Sequence, residues 1–187
     1  MAHRLSAEEF LVWDSTQTQR HEFIAGEVFA MSGASEAHVT VAGNLYLTLR
    51  QHLAGTPCRT FITDMKLHVQ AAEAYFYPDV MVTCSAADAG SPSIKREPVL
   101  LAEVLSPSTA AYDRGDKFAV YRRIATLREY LLVDPDSRRV ELYLLGADGL
   151  GVLHAAEPDT DVQLAWVKLT LTPSALALPR ELVAKIP

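Results

Sequence analysis

Tyr75-Phe76-Tyr77-Pro78-Asp79-Val80-Met81-Val82 and Val99-Leu100-Leu101-Ala102-Glu103-Val104-Leu105-Ser106 are two apolar runs, each interrupted by one carboxylate. Their length and their β-branched and aromatic content read as strands buried on both faces. An ionised carboxylate in such a place is costly unless it is paired, hydrogen-bonded or bound to a cation. Two of them on successive strands suggest a metal site. Plainer readings compete: Asp79 as a turn aspartate capped by backbone N–H groups, and Glu103 in an ion pair with a buried arginine.

After Glu103 the strand stops at Pro107. Asp113 to Ala125 has helical spacing, with Lys117, Tyr121 and Ile124 on one face and Lys117 at the edge of the buried stripe. Tyr130 to Val133 is a short buried strand. The strand-helix-strand unit so formed predicts a parallel crossover. Before Asp79, Arg59 to Val69 alternates as a half-buried strand, with Met65, Leu67 and Val69 on one side and Asp64, Lys66 and His68 on the other. The spacing of His38, Ala42, Leu45, Leu49 and Leu53 predicts a helix over Ser35 to Leu53, capped by Ser35 and ended by Gly55 and Pro57. Nearer the N-terminus, Ser6-Ala7-Glu8-Glu9 has the spacing of a capping box. His21 to Ile24 and Glu27 to Met31 flank Ala25-Gly26 as a hairpin. Past the Tyr130 strand, Asp134-Pro135-Asp136-Ser137 and Gly146-Ala147-Asp148-Gly149 mark turns. Val162 to Leu171 is strand-like and Ala175 to Leu178 weakly patterned, together a closing appendage. The fold class is α/β, a mixed central β-sheet flanked by helices.

At 187 residues the chain suits one domain, 1–187, with an N-terminal helix and hairpin over 1–34, a core over about 35–145 and C-terminal strands over 146–187. No stretch reaches the roughly 18 apolar residues that cross a bilayer. Glu8, Glu9 and Asp14 stand where a signal peptide has its apolar centre, so a cytoplasmic protein is expected. Cys58 and Cys84 match no zinc or redox spacing and read as small buried residues. The net charge of −6 argues against a generally basic nucleic-acid surface. Arg122, Arg123, Arg138 and Arg139 could still supply a local groove.

In many metal-dependent nucleases an Asp on one strand faces a Glu and a Lys two residues apart on its neighbour. The carboxylates hold Mg²⁺, which keeps several waters and takes phosphate oxygen as a further ligand. The lysine orients the attacking water and offsets charge on the phosphate. Here Leu105 occupies the lysine position, so the ammonium must come from elsewhere. Lys117 is the first choice, because its helix packs back over the sheet, and Lys66 the second. On their own, Lys117 reads as a solvated helix lysine, Glu27 as a polar hairpin residue and His38 as a capping or surface histidine. Asp113 and Asp116 need no role beyond favourable charge at a helix N-terminus. Ser108 and Thr109 read as phosphate contacts or caps, since no histidine pairs with them.

Gly26-Glu27-Val28, His38, Asp64-Met65-Lys66, Tyr77-Pro78-Asp79-Val80, Ala102-Glu103-Val104-Leu105-Ser106-Pro107-Ser108-Thr109, Tyr112-Asp113-Arg114-Gly115-Asp116-Lys117 and Glu129-Tyr130-Leu131-Leu132-Val133-Asp134-Pro135 together carry a resemblance. The chain resembles the Uma-two family of restriction endonucleases, within the PD-(D/E)XK nuclease superfamily, from the first helix nearly to the C-terminus. The resemblance implies the restriction endonuclease-like fold and a Mg²⁺-dependent, or Mn²⁺-dependent, endonuclease acting on DNA. It implies Asp79 and Glu103 as metal ligands, Lys117 as the displaced lysine, and His38 and Glu27 as accessory groups. Leu105 departs from the superfamily's pattern but is shared by the family. A homodimer would suit cleavage of both strands. Two rivals remain: a non-catalytic protein of this fold that binds nucleic acid or a protein partner, and a metal hydrolase for a small phosphoester, favoured by a narrow apolar pocket.

Overall fold

The computed structural model describes residues 4–31, 33–146 and 148–176. The capping box is formed: Ser6 Oγ accepts from the Glu9 amide at 3.2 Å, and Glu9 Oε2 accepts from the Ser6 amide at 2.7 Å. It starts α1 (Ala7–Asp14). The hairpin of β1 (His21–Ile24) and β2 (Glu27–Ala30) turns through Ala25 and Gly26 at φ of 46° and 97°, the left-handed pair that a two-residue hairpin demands. Ser35 caps α2 (Glu36–His52) by accepting from the His38 amide at 3.2 Å.

The chain continues through β3 (Arg59–Ile62), β4 (Lys66–Val69), β5 (Ala74–Phe76), β6 (Val80–Thr83), α3 (Ala86–Ala89), β7 (Ile94–Lys95) and β8 (Pro98–Val104). Then come α4 (Ala110–Arg114), α5 (Asp116–Tyr121), β9 (Glu129–Val133), β10 (Val140–Leu145), β11 (Gly151–Ala156), β12 (Val162–Leu164), β13 (Leu169–Leu171) and α6 (Pro173–Leu176).

Two larger sheets and a two-stranded one, β12-β13, organise these strands. One runs β11-β10-β9-β8-β6-β3 and the other β2-β1-β5-β4-β7. The β8–β9 pair is parallel, as the strand-helix-strand unit predicts, and the remaining pairs of the larger sheet are antiparallel. Every residue of β8 is buried. One face of it, with Leu100, Ala102 and Val104, packs with Val80, Val82 and Leu131 against Leu45 and Leu49 of α2. The opposite face, with Leu101 and Leu105, joins Met81, Tyr130 and Leu132 beneath Tyr121 and Ile124, and meets Leu67 and Phe76 of the second sheet.

Several elements differ from the sequence expectation, each for a local reason. The alternating stretch 59–69 is two strands, not one: the chain bends at Thr63, whose φ is 34°, and sends β3 to one sheet and β4 to the other. Alternation survives such a bend, so the pattern hides it. The aromatic run 75–82 likewise divides, with Tyr77-Pro78-Asp79 carrying the chain between sheets; Pro78 has no N–H to give a ladder. The helix expected over 113–125 is broken at Gly115, at φ −108° and ψ −98°, into α4 and α5. The strand-like stretch 162–171 is the hairpin of β12 and β13. Nor are the C-terminal strands an appendage: β11 extends the larger sheet and the hairpin packs into its core. Residues 177 and 178 of the weakly patterned segment lie outside the described residues.

Cys58 and Cys84 form a disulfide, which corrects their reading as isolated small residues. They lie one step beyond the Arg59–Thr83 pair of β3 and β6. Sequence spacing does not show that adjacency, which comes from strand pairing.

A second polar pin fastens the C-terminal hairpin. Glu129 on β9 is buried, and its Oε1 accepts from the Trp166 amide at 2.9 Å. Burial pushes its carboxyl above the usual range, and the amides of Trp166, Ala165 and Val167 pull it back. From the other side, His52 Nε2 lies 2.8 Å from the Val167 carbonyl. Glu129→Ala is expected to lower the free energy of unfolding by about 2–4 kcal/mol, seen as a lower urea midpoint with an unchanged slope. A midpoint equal to the parent's would show that apolar packing alone holds the hairpin.

Candidate functional site

The two acids of the opening stretches meet. Val80 of β6 is paired with Ala102 of β8, so Asp79 and Glu103 stand one step further along adjacent chains. The Asp79 amide lies 3.4 Å from Glu103 Oε2, and the Val104 amide donates to Asp79 Oδ2 at 2.8 Å. His38, presented by the first turn of α2, places Nε2 3.0 Å from Asp79 Oδ1. The Ser35 cap that begins the helix therefore also sets where this imidazole starts.

Alternation along β8 puts Glu103 on the same face as Leu101 and Leu105, toward α5. There Lys117 Nζ lies 2.9 Å from Glu103 Oε1, and Tyr121 Oη donates to the same oxygen at 2.8 Å. The break at Gly115 lets α5 lie back over β8. Lys117 also reaches Glu22 Oε1 at 3.3 Å and Asp113 Oδ1 at 3.6 Å. All four side chains are nearly withdrawn from solvent, so each charge answers to its neighbours instead of to water.

Burial pushes the Glu103 carboxyl up to about 8; the Lys117 ammonium pulls it down, while Asp79, Asp113 and Glu22 add to the rise. For Lys117 burial works downward, but Glu103, Glu22 and Asp113 outweigh it and hold the group firmly as an ammonium. His38 is raised, first by its hydrogen bond to Asp79 and against its own burial. The result is a surplus of acid: Glu22, Asp79, Glu103 and Asp113 face one permanent cation and one imidazole.

Such a surplus fits a bound cation. Among the described residues no three His, Cys, Asp or Glu side chains gather as a ready-made metal cage. A hard cation that uses one or two carboxylates and fills the rest of its shell with water and phosphate oxygen does not need one. Asp79 and Glu103 suit it: each carboxylate oxygen offers two lone pairs, and the partners above leave some of them free.

The acids open onto a cleft of about 500 Å³ lined by Glu22, Asp79, Glu103, Asp113, Lys117 and His38. Four of the five residues selected from sequence thus converge. Glu27 does not: it pairs with Arg4 at 3.0 Å, exposed at the turn end of the hairpin, and is not among the cleft residues. On β2 it stands opposite Ile24, at the end of the hairpin next to the Ala25-Gly26 turn. Lys66, the second choice of ammonium, is held elsewhere by Asp14 at 2.9 Å. The suggested basic groove is absent among the described cleft residues; Arg138 pairs with Asp159, Arg139 with Glu157, and Arg123 with the Ala71 carbonyl.

Glu22, Asp113 and Tyr121 belong to the cluster and were not selected from sequence as site residues. For Glu22 a signal existed. It shares a strand face with Ile24, which packs into the core beside Tyr121, so alternation alone turns its carboxylate inward.

Known proteins share this chain's sequence pattern and its fold. The family model Uma2, described as "Putative restriction endonuclease", matches residues 7–174. The chain is 40% identical over 146 residues to the uncharacterized protein slr1290 of Synechocystis sp., covering 78% of this chain and 77% of the relative. It is also 40% identical over 168 residues to the uncharacterized protein sll1609 of the same organism, covering 88% of this chain and 95% of the relative. In fold it is similar to a crystal structure from Anabaena variabilis, described as a "putative nuclease belonging to DUF820", with a TM-score of 0.77, 17% identity, and coverage of 92% of this chain and 97% of that one. The fold is accordingly a nuclease fold, of mixed sheets with helices against them. With nine-tenths of its length matched in both sequence pattern and shape, the chain belongs to the Uma2 family, whose description supports a nuclease-type function.

Proposed function

We propose that this protein is a metal-dependent endonuclease that hydrolyses phosphodiester bonds in DNA. The observation that carries the proposal is the meeting of Asp79 and Glu103, from neighbouring segments of the chain, with the Lys117 ammonium 2.9 Å from Glu103 in one cleft. Asp79 and Glu103 would hold Mg²⁺ or Mn²⁺. When bound, such an ion neutralises phosphate charge and makes a water acidic enough to attack. Lys117 replaces the strand lysine that Leu105 displaces: it reaches Glu103 from the helix above and offsets negative charge gathering on the phosphate. Tyr121 holds the Glu103 oxygen in place. His38 and the Val104 amide take one Asp79 oxygen each and so orient that carboxylate.

No helix among the described residues is long and apolar enough to cross a membrane. A cytoplasmic setting, where a DNA substrate would lie, would expose the Cys58–Cys84 disulfide to reduction.

One observation favours a second reading. The Lys117 ammonium is met by three carboxylates and both Asp79 oxygens have protein partners. A site so complete within itself also suits a protein that keeps the fold and binds without cutting. Cleavage of DNA, offered both as plasmid and as a single strand, separates the two. Cleavage of at least one form is expected in Mg²⁺ or Mn²⁺, is expected to stop in chelator, and should fall at least about 100-fold in Asp79→Asn and Glu103→Gln. Variants that cut like the parent, or a parent that cuts no nucleic acid in any divalent metal, would overturn the catalytic proposal. Mg²⁺ should also raise the melting temperature of the parent by mass action and raise it less in Glu103→Gln. Equal shifts in both proteins would remove Glu103 from the metal site.

Lys117→Met leaves three buried carboxylates without their cation, so a loss of about 3–5 kcal/mol is expected in urea unfolding. A variant as stable as the parent would mean that these acids are protonated and uncharged in the fold.

A further inference from the structure

On the basis of the proposed nuclease reading, we infer that the cleft takes a single, unpaired DNA strand and not an intact duplex. The inference begins with what lines the walls. Among the described cleft residues the only lysine or arginine is Lys117, and its ammonium is already engaged by Glu22, Glu103 and Asp113. A protein that grips duplex DNA draws its affinity from several Lys and Arg contacts to phosphates along both strands. This cleft has no such row.

Apolar surface stands there instead. Phe29, Val39 and Ile62 line the cleft and remain 45%, 59% and 37% exposed. Phe29 is the cross-strand partner of Glu22, so the two side chains share one face of the β1–β2 hairpin. That pairing sets an exposed aromatic ring beside the carboxylate that touches Lys117. Bases in a duplex are stacked on one another and offer a protein only their edges. An unpaired base offers its face, and stacking on an aromatic ring is the sequence-tolerant way to hold it.

The phosphate side is met by neutral donors. Ser106, Ser108 and Thr109 follow β8 directly and line the same cleft. Ser106 Oγ lies 3.1 Å from Ser108 Oγ and 3.0 Å from Thr109 Oγ1, so the three hydroxyls form one cluster beside Glu103. Hydroxyls can donate to a phosphate oxygen without adding charge to a site that already balances acids against one ammonium. One strand, its bases against Phe29 and its backbone along Ser106 to Thr109, satisfies both walls.

The test is fluorescence anisotropy of the full chain with a short labelled single strand and with the blunt duplex of the same sequence, in Ca²⁺ so that binding is read apart from cleavage. The single strand is expected to bind at least about tenfold tighter than the duplex, with a shallow salt dependence corresponding to about one or two phosphates. Phe29→Ala should weaken single-strand binding about tenfold or more, while Val152→Ala, on the exposed β11 edge, should match the parent. Duplex binding equal to or tighter than single-strand binding, or Phe29→Ala affinity equal to the parent's, overturns the inference. A single strand bound as expected but left uncut in Mg²⁺ and Mn²⁺ upholds it and removes the hydrolytic reading. Cleavage of duplex with no binding of single strand does the reverse.

Discussion

The contact on which the rest depends is the buried Lys117 ammonium at 2.9 Å from Glu103. Neither partner could be buried alone, since an isolated charge in a core is one of the most expensive things a fold can contain. Together with Glu22 and Asp113 the pair ties β1, β8, α4 and α5 at one point. Stability does not explain why the pair is there. Replacing a buried ion pair by well-packed apolar side chains is commonly neutral or favourable, and this face of β8 shows the alternative: Leu101 and Leu105 flank Glu103 and pack into the apolar core. On the proposed reading, an acid between two leucines marks where packing gives way to chemistry.

The position of the site follows from how the chain crosses between sheets. Tyr77-Pro78-Asp79 leaves β5 in one sheet and enters β6 in the other, so Asp79 sits just before the ladder of β6 begins. Its backbone is not committed to a strand, and its carboxylate is free to accept from the Val104 amide where β8 ends. The cleft opens where the two sheets part, between the first turn of α2 and the Ser106 to Thr109 loop. A rigid sheet supplies one acid, a crossing loop the other, and a helix the cation.

Much of this was legible before any coordinates, for identifiable reasons. Buried strands announce themselves as unbroken apolar runs, so an acid within one is conspicuous; Asp79 and Glu103 stood out on that ground. The capping box at Ser6 and the cap at Ser35 are local and were read correctly. What escaped is non-local or keeps the same pattern in two conformations. Alternation over 59–69 is unchanged by the bend at Thr63, and helical spacing over 113–125 is unchanged by the break at Gly115. The Cys58–Cys84 bond arises from strand pairing that no spacing encodes, and alternation turns Glu22 inward without naming Lys117 of α5 as its partner. Glu27 was carried over by resemblance, while the acid delivered to the cleft lies five positions earlier on the other arm of the same hairpin.

The charge balance of the cleft also bears on how an acidic chain of net charge −6 could act on a polyanion. Four carboxylates crowd one ammonium, and burial has already pushed Glu103 up to about 8. A phosphate approaching that group unaided meets repulsion in a poorly screened setting. On the proposed reading a divalent ion reverses the sign locally, so the substrate needs no basic wall to be held at the reacting position. The walls are then released to recognise something other than charge. Phe29, Val39 and Ile62 on one side and the hydroxyls of Ser106, Ser108 and Thr109 on the other follow as a consequence of moving the electrostatic work to the floor of the cleft. Leu105 belongs to the same economy: with the ammonium supplied from α5, the strand position can pack, and the core beneath the site closes without a second buried cation.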